Sequence, residues 1–347
     1  MKNYFKKVAM AMLLLAMANV CAARQWHVNN YIGIKADFAG IGAAMASEEV
    51  VEGDTIYIGA GSVLGSQTIS KKVTVIGTGW GYSDSPANQA KINGDVTITA
   101  QGAKVVGLYV SGVCKINAHD VVLERCQIVS GIRQGTTDQV NDVKIFSCRT
   151  VYIIAYNNCR WEIKNNLILD GGEKYGSLQK LYYATIENNI VRTNSAINSY
   201  GYFADGCNYC IFKNNVLFAG ISDIGQVEQA YFFRNSSNTT IKNNVISLPS
   251  TYESTWPGNV FTNSTDITLV FKCTGSVAGG EYYSLCEGSP AIGAGEGGID
   301  CGVMAGAYSF VPYGRPQYIP VIKEAAVPAI PTDGKVKVSF KIENQND

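Results

Sequence analysis

The chain has 347 residues, and its 28 Lys and Arg balance 28 Asp and Glu to a formal net charge of zero. Charged residues make up 16% of it, against roughly 25% in ordinary soluble domains, whereas Gly reaches 36 and Tyr 20. A 46% hydrophobic share at neutral charge excludes an intrinsically disordered polymer, and the lack of a basic excess excludes a protein that holds nucleic acid through a broad positive field.

The first element is an address. Lys2, Lys6 and Lys7 precede the apolar run Val8 to Met17, which leads to Cys21-Ala22-Ala23. This is the layout of a secretory signal, and the run is too short to span a bilayer. Residues 1–23 are therefore expected to be a signal peptide. The mature chain would be mildly acidic and delivered to the periplasm, outer surface or exterior of a Gram-negative bacterium. Val20 fits poorly before a lipid-bearing cysteine, so ordinary secretion is favoured over lipid attachment at Cys21. No later stretch is apolar for long enough to span a membrane.

A short amphipathic helix is expected next, because Ile34, Phe38, Ile41 and Met45 fall at near-helical spacing. Then come short strand-like runs such as Thr55-Ile-Tyr-Ile58 and Val73-Thr-Val-Ile76, and the middle of the chain repeats itself. Ile163-Lys-Asn-Asn-Leu-Ile168 recurs as Ile186-Glu-Asn-Asn-Ile-Val191, Phe212-Lys-Asn-Asn-Val-Leu217 and Ile241-Lys-Asn-Asn-Val-Ile246. Looser copies lie at Leu123–Ile128, Ile145–Thr150 and Val105–Val110. Such a unit cannot bury its apolar side alone. Stacked at about 4.8 Å, however, its strands form parallel sheets around one continuous core. The Asn-Asn pairs supply turns, since Asn tolerates the left-handed conformation. Stacking is expected to put Asn165, Asn188, Asn214 and Asn243 in a hydrogen-bonded column. Lys164, Glu187 and Lys213 would stack with alternating sign. The repeat positions give about eight or nine coils.

The cap helix, Gly53-Asp-Thr-Ile-Tyr-Ile58, Val73-Thr-Val-Ile-Gly77 and the Ile-x-Asn-Asn-x-Ile units together resemble the right-handed parallel β-helix, or pectin-lyase-like, superfamily. Gly288-Ser-Pro-Ala-Ile-Gly-Ala-Gly295 followed by Asp300-Cys-Gly302 looks like the closing segment of secreted bacterial members. The resemblance implies an all-β right-handed parallel β-helix over residues 24–310 with an N-terminal cap. Residues 311–347 form a Pro-rich strap with a terminal strand, Lys335 to Glu343, expected to lie along the helix. The superfamily hosts lyases, hydrolases, esterases, epimerases and adhesins, so fold does not fix activity. Neither the Asp cluster and Arg-x-Pro-x-x-Arg of its calcium-dependent lyases nor the signature blocks of its polygalacturonases are present. No cofactor is expected, and calcium has no motif to hold it.

The longer loops carry Asp170, Glu173, Asp205, Asp223 and Glu228 as candidate catalytic acids, with Asp170 and Asp205 expected to approach on one face. Asp170-Gly-Gly172 and Asp205-Gly206 read equally as turns, and the turn reading is preferred. The lengthening repeat interval puts loop growth in the C-terminal half, where function would sit. Aromatic runs offer a second site: Trp161, Tyr200, Tyr202 and Tyr231 are candidates for a platform that stacks on sugar rings, while Phe203 and Phe233 point inward. Nine cysteines remain after Cys21, an odd number. Cys126 and Cys148 occupy the slot of the second Asn and read as stacked core positions. Cys207-Asn-Tyr-Cys210 lacks the surroundings of a redox or zinc site. A disulfide among Cys273, Cys286 and Cys301 is open. The expected partner is a polysaccharide or cell-surface glycan, bound rather than cleaved. A polysaccharide lyase or glycoside hydrolase and a purely structural envelope protein are the alternatives. Oligomeric state is not encoded in any motif.

Overall fold

The computed structural model describes residues 23–80, 89–156, 159–171, 176–193, 202–219, 232–264, 266–272, 283–316, 321–326 and 338–343. Strands of two to five residues stack into three wholly parallel sheets, giving the right-handed parallel β-helix that the repeat implies. Sheet I has ten strands, from Gln25–Val28 to Thr240–Lys242. Sheet II also has ten, from Val63–Leu64 to Val260–Phe261, and sheet III has eight, from Gln67–Ile69 to Phe233–Arg234. One coil runs through Glu162–Lys164 in sheet I, Leu167–Gly171 in sheet II and Leu178–Gln179 in sheet III, then returns to sheet I at Thr185–Glu187. Sheet I thus has one or two more rungs than the repeat alone suggested, because its first coils lack the Asn-Asn mark.

Strand alternation fills the interior. Val75, Val105, Leu123, Ile145, Ile163, Ile186 and Phe212 are in register in sheet I and all buried. Each such side chain contributes about 1.5–3 kcal/mol when removed from water. Phe203 and Phe233 point inward as expected, and Phe203 lies 5.2 Å from Phe232.

The turn between sheets I and II divides its two asparagines differently from the expectation. The first of each pair takes the left-handed backbone, with φ of 56°, 56°, 58° and 56° at Asn165, Asn188, Asn214 and Asn243. The ladder is built one residue later, by Asn166, Asn189, Asn215 and Asn244, all fully buried. Asn166 donates its backbone N (2.9 Å) and Nδ2 (3.0 Å) to Asn189 Oδ1, and Nδ2 also reaches Ile145 O at 2.8 Å. The pattern repeats through Asn215 and Asn244 to Asn259. Upstream the same column continues as thiols: Cys148 N donates to Asn166 Oδ1 (2.8 Å) and Cys126 N to Cys148 Sγ (3.4 Å). The expectation for these two cysteines holds. The period cannot say which of two adjacent asparagines turns inward, and alternation from the preceding strand decides it.

The outward asparagines have a different partner. Residues 295–316 run back along the turn column, toward the N-terminal end. Glu296 N donates to Asn214 Oδ1 (2.8 Å), Asn188 Nδ2 reaches Gly302 O, and Asn165 Nδ2 donates to Val303 O and Ala305 O. Ser147 Oγ then donates to Tyr308 O, and Arg125 Nη1 to Arg315 O at 2.8 Å. Phe146 stacks on Tyr308 with ring centroids 4.0 Å apart. This segment, the strap of the structure, lies mostly before the 311–347 expected for one and also covers the outer face of sheet II. Leu167, Ile190, Val216 and Val245 are in register, point outward and are nonetheless fully buried, in a second apolar core with Ala291, Cys301, Val303 and Phe310. Gly302 permits the contact: its φ is +99°, and a Cβ there would stand 3.3 Å from a Val216 methyl.

The ends differ from expectation in detail. The N-terminal helix α1 spans only Ile41–Ala46, buries Ile41, Ala44 and Met45, and closes the edge of sheet III, where Gly42 N donates to Gln67 Oε1 at 3.0 Å. Ile34 lies outside it and is exposed. The terminal strand Ser339–Glu343 pairs antiparallel with Val321–Ala326 rather than with a β-helix sheet. Cys286 and Cys301 are free thiols, and Cys273 lies outside the described residues.

Candidate functional site

Each coil turns two corners in addition to the Asn corner. The corner between sheets II and III holds the loop growth. The connection is 151–152 in one coil, then 172–177, 194–203 and 219–232 in the next three. Glu173, Tyr200, Asp223, Glu228 and Tyr231 fall on these connections and lie outside the described residues. Asp170 sits in the sheet II strand Leu167–Gly171 where a bulge interrupts pairing, whereas Asp205 ends the sheet III strand Ala204–Asp205. The two are on different sheets rather than stacked on one face.

The remaining corner, between sheets III and I, repeats one backbone feature from coil to coil. Two residues before each sheet I strand from Lys104–Val106 onward stands one left-handed residue: Gly102, Asp120, Asp142, Arg160, Tyr183, Tyr209 and Asn238. Gly, Asp and Asn suit this backbone, but a bulky side chain there is strained by about 1–2 kcal/mol. Tyr183 (φ 57°) and Tyr209 (φ 55°) accept that strain in consecutive coils. Their rings stack at 5.0 Å with an interplanar angle of 17°, and the residues are 51% and 48% exposed. Ile211, two residues beyond Tyr209 in sheet I, is also exposed. A stack of this kind returns about 0.5–1.5 kcal/mol beyond the area it buries, against that strain. The pair holds a rigid aromatic edge, half in water, at a backbone conformation that disfavours bulky residues.

Beside this corner runs the outward face of sheet III. Lys115, Arg133, Ile154, Gln179, Asp205 and Arg234 follow one another in register. Arg133 is exposed, and Lys115 is paired with Asp95 at 2.7 Å. The Lys115 ammonium and the Val113 N–H hold the Asp95 carboxyl below its usual range. Arg234 lies over the Tyr202 ring at 5.2 Å, donates Nη1 to the Tyr202 hydroxyl (3.3 Å), and keeps Nε 3.9 Å from Asp205. Asn235 Nδ2 donates to the same Asp205 oxygen at 2.9 Å. Asp205 thus orients a guanidinium and is itself engaged. At the corner Lys180 lies 4.9 Å from the Tyr156 ring.

Sheet I offers a contrasting surface. Lys164 bridges Glu162 (2.8 Å) and Glu187 (3.7 Å), and Lys213 bridges Glu187 (3.4 Å), so the alternating column forms as its sequence implied. Its next rung places Lys242 directly beside Lys213, and the strap's Glu296 resolves the repulsion with contacts of 2.8 and 3.1 Å.

Two of the proposed sugar-stacking residues are core instead. Trp161 is fully buried, with Nε1 donating to Val140 O at 2.9 Å, and Tyr202 is buried beneath Arg234. Both lie where alternation turns them inward or under a neighbour. The pair that does stack outward, Tyr183 and Tyr209, was visible as the two aromatics in a slot that the other coils fill with Gly, Asp, Arg or Asn. The basic members of the sheet III column carried no such mark, because register between sheets with unequal connections is not written in a period. Among the described residues no group of three or more His, Cys, Asp or Glu is arranged to hold a metal. No helix there is long and apolar enough to cross a membrane.

No family model matches the chain, and no curated protein does. Among solved structures it is similar to a PL6 family polysaccharide lyase from Pseudopedobacter saltans, at 13% identity and a TM-score of 0.31, over 64% of this chain and 89% of that one. The fold assignment rests on the three stacked sheets themselves.

Proposed function

We propose that the protein is an extracellular glycan-binding β-helix that lays an acidic polysaccharide along the corner between sheets III and I and the adjoining face of sheet III. The observation that carries this reading is the exposed Tyr183–Tyr209 stack, held at a left-handed backbone position that disfavours a bulky side chain. Aromatic edges contact the apolar faces of sugar rings and their hydroxyls orient the chain. Arg133 and Arg234, with Lys115 and Lys180 beside them, give the same surface guanidinium and ammonium groups for carboxylates or sulfates. The strap occupies the outer face of sheet II, and paired charges occupy sheet I, which favours the remaining face.

The test is calorimetric titration of polyuronates and neutral glycans into the protein and its Tyr183→Asn/Tyr209→Asn variant. The variant is expected to lose tenfold or more in affinity, roughly one anchor's worth, with its thermal midpoint unchanged. Equal binding by both proteins would remove the corner from the site. A second reading, cleavage, is favoured by the Arg234–Tyr202 pair, since a phenol beside a guanidinium suits proton transfer next to a sugar carboxylate. It requires ultraviolet-absorbing unsaturated ends to accumulate on incubation with a polyuronate, and their loss in Arg234→Ala. New reducing ends without that absorbance would indicate hydrolysis. Neither binding nor products across the panel would leave a structural envelope role.

A further inference from the structure

Tyr183 and Tyr209 also carry a chemistry that ring stacking on a ligand does not use. Tyr182 and Asn208 pair in parallel just before them, and Tyr183 N donates to Asn208 O at 3.1 Å. The next rung repeats the bond, with Tyr209 N donating to Ser237 O at 3.0 Å. Both residues take the same left-handed turn on consecutive coils, so their backbones are tied one rung apart. The two rings stack at 5.0 Å and 17°, and about half of each residue is open to solvent. The same slot holds Arg160 on one side of the pair and Asn238 on the other, which limits the stack in this column to two phenols.

A phenol that gives up one electron and its hydroxyl proton becomes a phenoxyl radical, and two such radicals couple through the carbons ortho to their oxygens. Free phenols must first find one another. Here each ring already has the other against its face, so the encounter is intramolecular. Half-exposure admits an oxidant to both rings and leaves them room to slide out of the stack until the ortho carbons meet. We propose that the pair is a modification site, at which a peroxide-driven one-electron oxidant of the haem peroxidase class joins Tyr183 to Tyr209 as dityrosine. One carbon–carbon bond forms, the two ortho carbons lose their hydrogens, and both hydroxyls are restored. The two electrons and two protons released break the O–O bond of one hydrogen peroxide and yield two waters. The bridge ties consecutive coils and closes the loop that carries the 194–203 connection. Closing a loop covalently narrows the unfolded ensemble, as a disulfide does, so the bridged form should melt at the higher temperature. None of this chemistry needs a glycan, so a failed binding titration leaves it standing, and failed coupling leaves the titration unaffected.

The test treats the full chain, dilute enough to keep molecules apart, with a plant haem peroxidase and hydrogen peroxide. Dityrosine fluorescence is expected in the monomer fraction after size exclusion. Mass spectrometry of a tryptic digest should then find the peptides bearing Tyr183 and Tyr209 joined, two hydrogens lighter than their sum. Tyr183→Phe keeps the ring but removes the phenol, and should lose nearly all of the monomer's fluorescence. Tyr31→Phe, which alters an exposed tyrosine elsewhere in the fold, should keep it. Undiminished fluorescence in Tyr183→Phe overturns the proposal. So does fluorescence confined to covalent dimers, or a linked peptide that joins other tyrosines. Both substituted positions are solvent-exposed, so the thermal midpoint of each variant should match the parent before oxidation. The linked peptide is sought in the unsubstituted protein, and that readout does not depend on any variant folding.

Discussion

In the pair Asn188-Asn189, the first residue adopts φ of 56° and sends its amide out to Gly302, while the second is buried and passes hydrogen bonds along the axis. Substitution should separate these roles. Asn189→Ala removes the acceptor of the Asn166 backbone N–H and one partner each from Asn166 Nδ2 and Ile163 O in a dry interior, and each lost partner costs about 1–3 kcal/mol. A loss of about 2–4 kcal/mol is expected, read from urea denaturation at unchanged slope. Asn188→Gly keeps the left-handed turn and should cost under about 1 kcal/mol. If the two variants were equally damaging, the ladder would not be a distinct source of stability. Cys126 and Cys148 show that a thiol can occupy the ladder, so Asn189→Cys should fall between them. The sequence displays the pairs plainly. It does not display the inward member, since two adjacent identical residues share one period.

The strap is the element whose contacts are most conditional. Its Glu296 carboxyl is held below the ordinary carboxylate range by hydrogen bonds from Lys213 and then Lys242. A carboxyl with a depressed folded pKa stabilises the docked form above its free value and loses that contribution as pH falls through the folded one. Docking of residues 295–316 should therefore loosen as pH drops below 4.5, the free value, and hydrogen exchange in that segment should rise. Glu296→Gln should show faster exchange already at neutral pH and little further change on acidification. Lys213 is raised by the same contact, so an opposite loosening belongs to strongly alkaline pH, above 10.5. A second variant probes the apolar half of the contact. Val216→Asp places an unpaired charge in the second core and should release the strap to limited proteolysis, leaving the ladder folded. Part of this element was legible. After each Asn-Asn pair come two consecutive apolar residues, Leu167-Ile168, Ile190-Val191, Val216-Leu217 and Val245-Ile246, and a strand can turn only one of each inward. The earlier coils put Tyr109, Gln127 and Arg149 at the outward place instead. The pattern thus signalled a covered face, but not that residues 283–316 would be the cover.

Across the whole molecule, stability accrues from neighbour to neighbour, since each rung touches chiefly the rungs above and below. Amide protection should be highest in the coils from Ile145 to Phe212, where inner core, ladder and strap coincide, and should fall toward both ends. A flat profile would mean that one end nucleates the rest. The fold was readable because stacking forces the same residue types into the same slots. The proposed ligand face was less so, because its members come from separate coils whose spacing varies, and only the two aromatics at the left-handed corner stood out in their slot. In the C-terminal coils that variation lies chiefly in the connection between sheets II and III, which lengthens from 151–152 to 219–232 while the strands on either side stay in register. The architecture therefore separates growth from support, much as a bookshelf accepts volumes of any depth on uprights of fixed pitch. A foreign segment spliced between Tyr152 and Ile153 should be carried as an added loop without displacing a rung. Recombination or engineering can in this way enlarge one edge of the protein indefinitely at little risk to the rest.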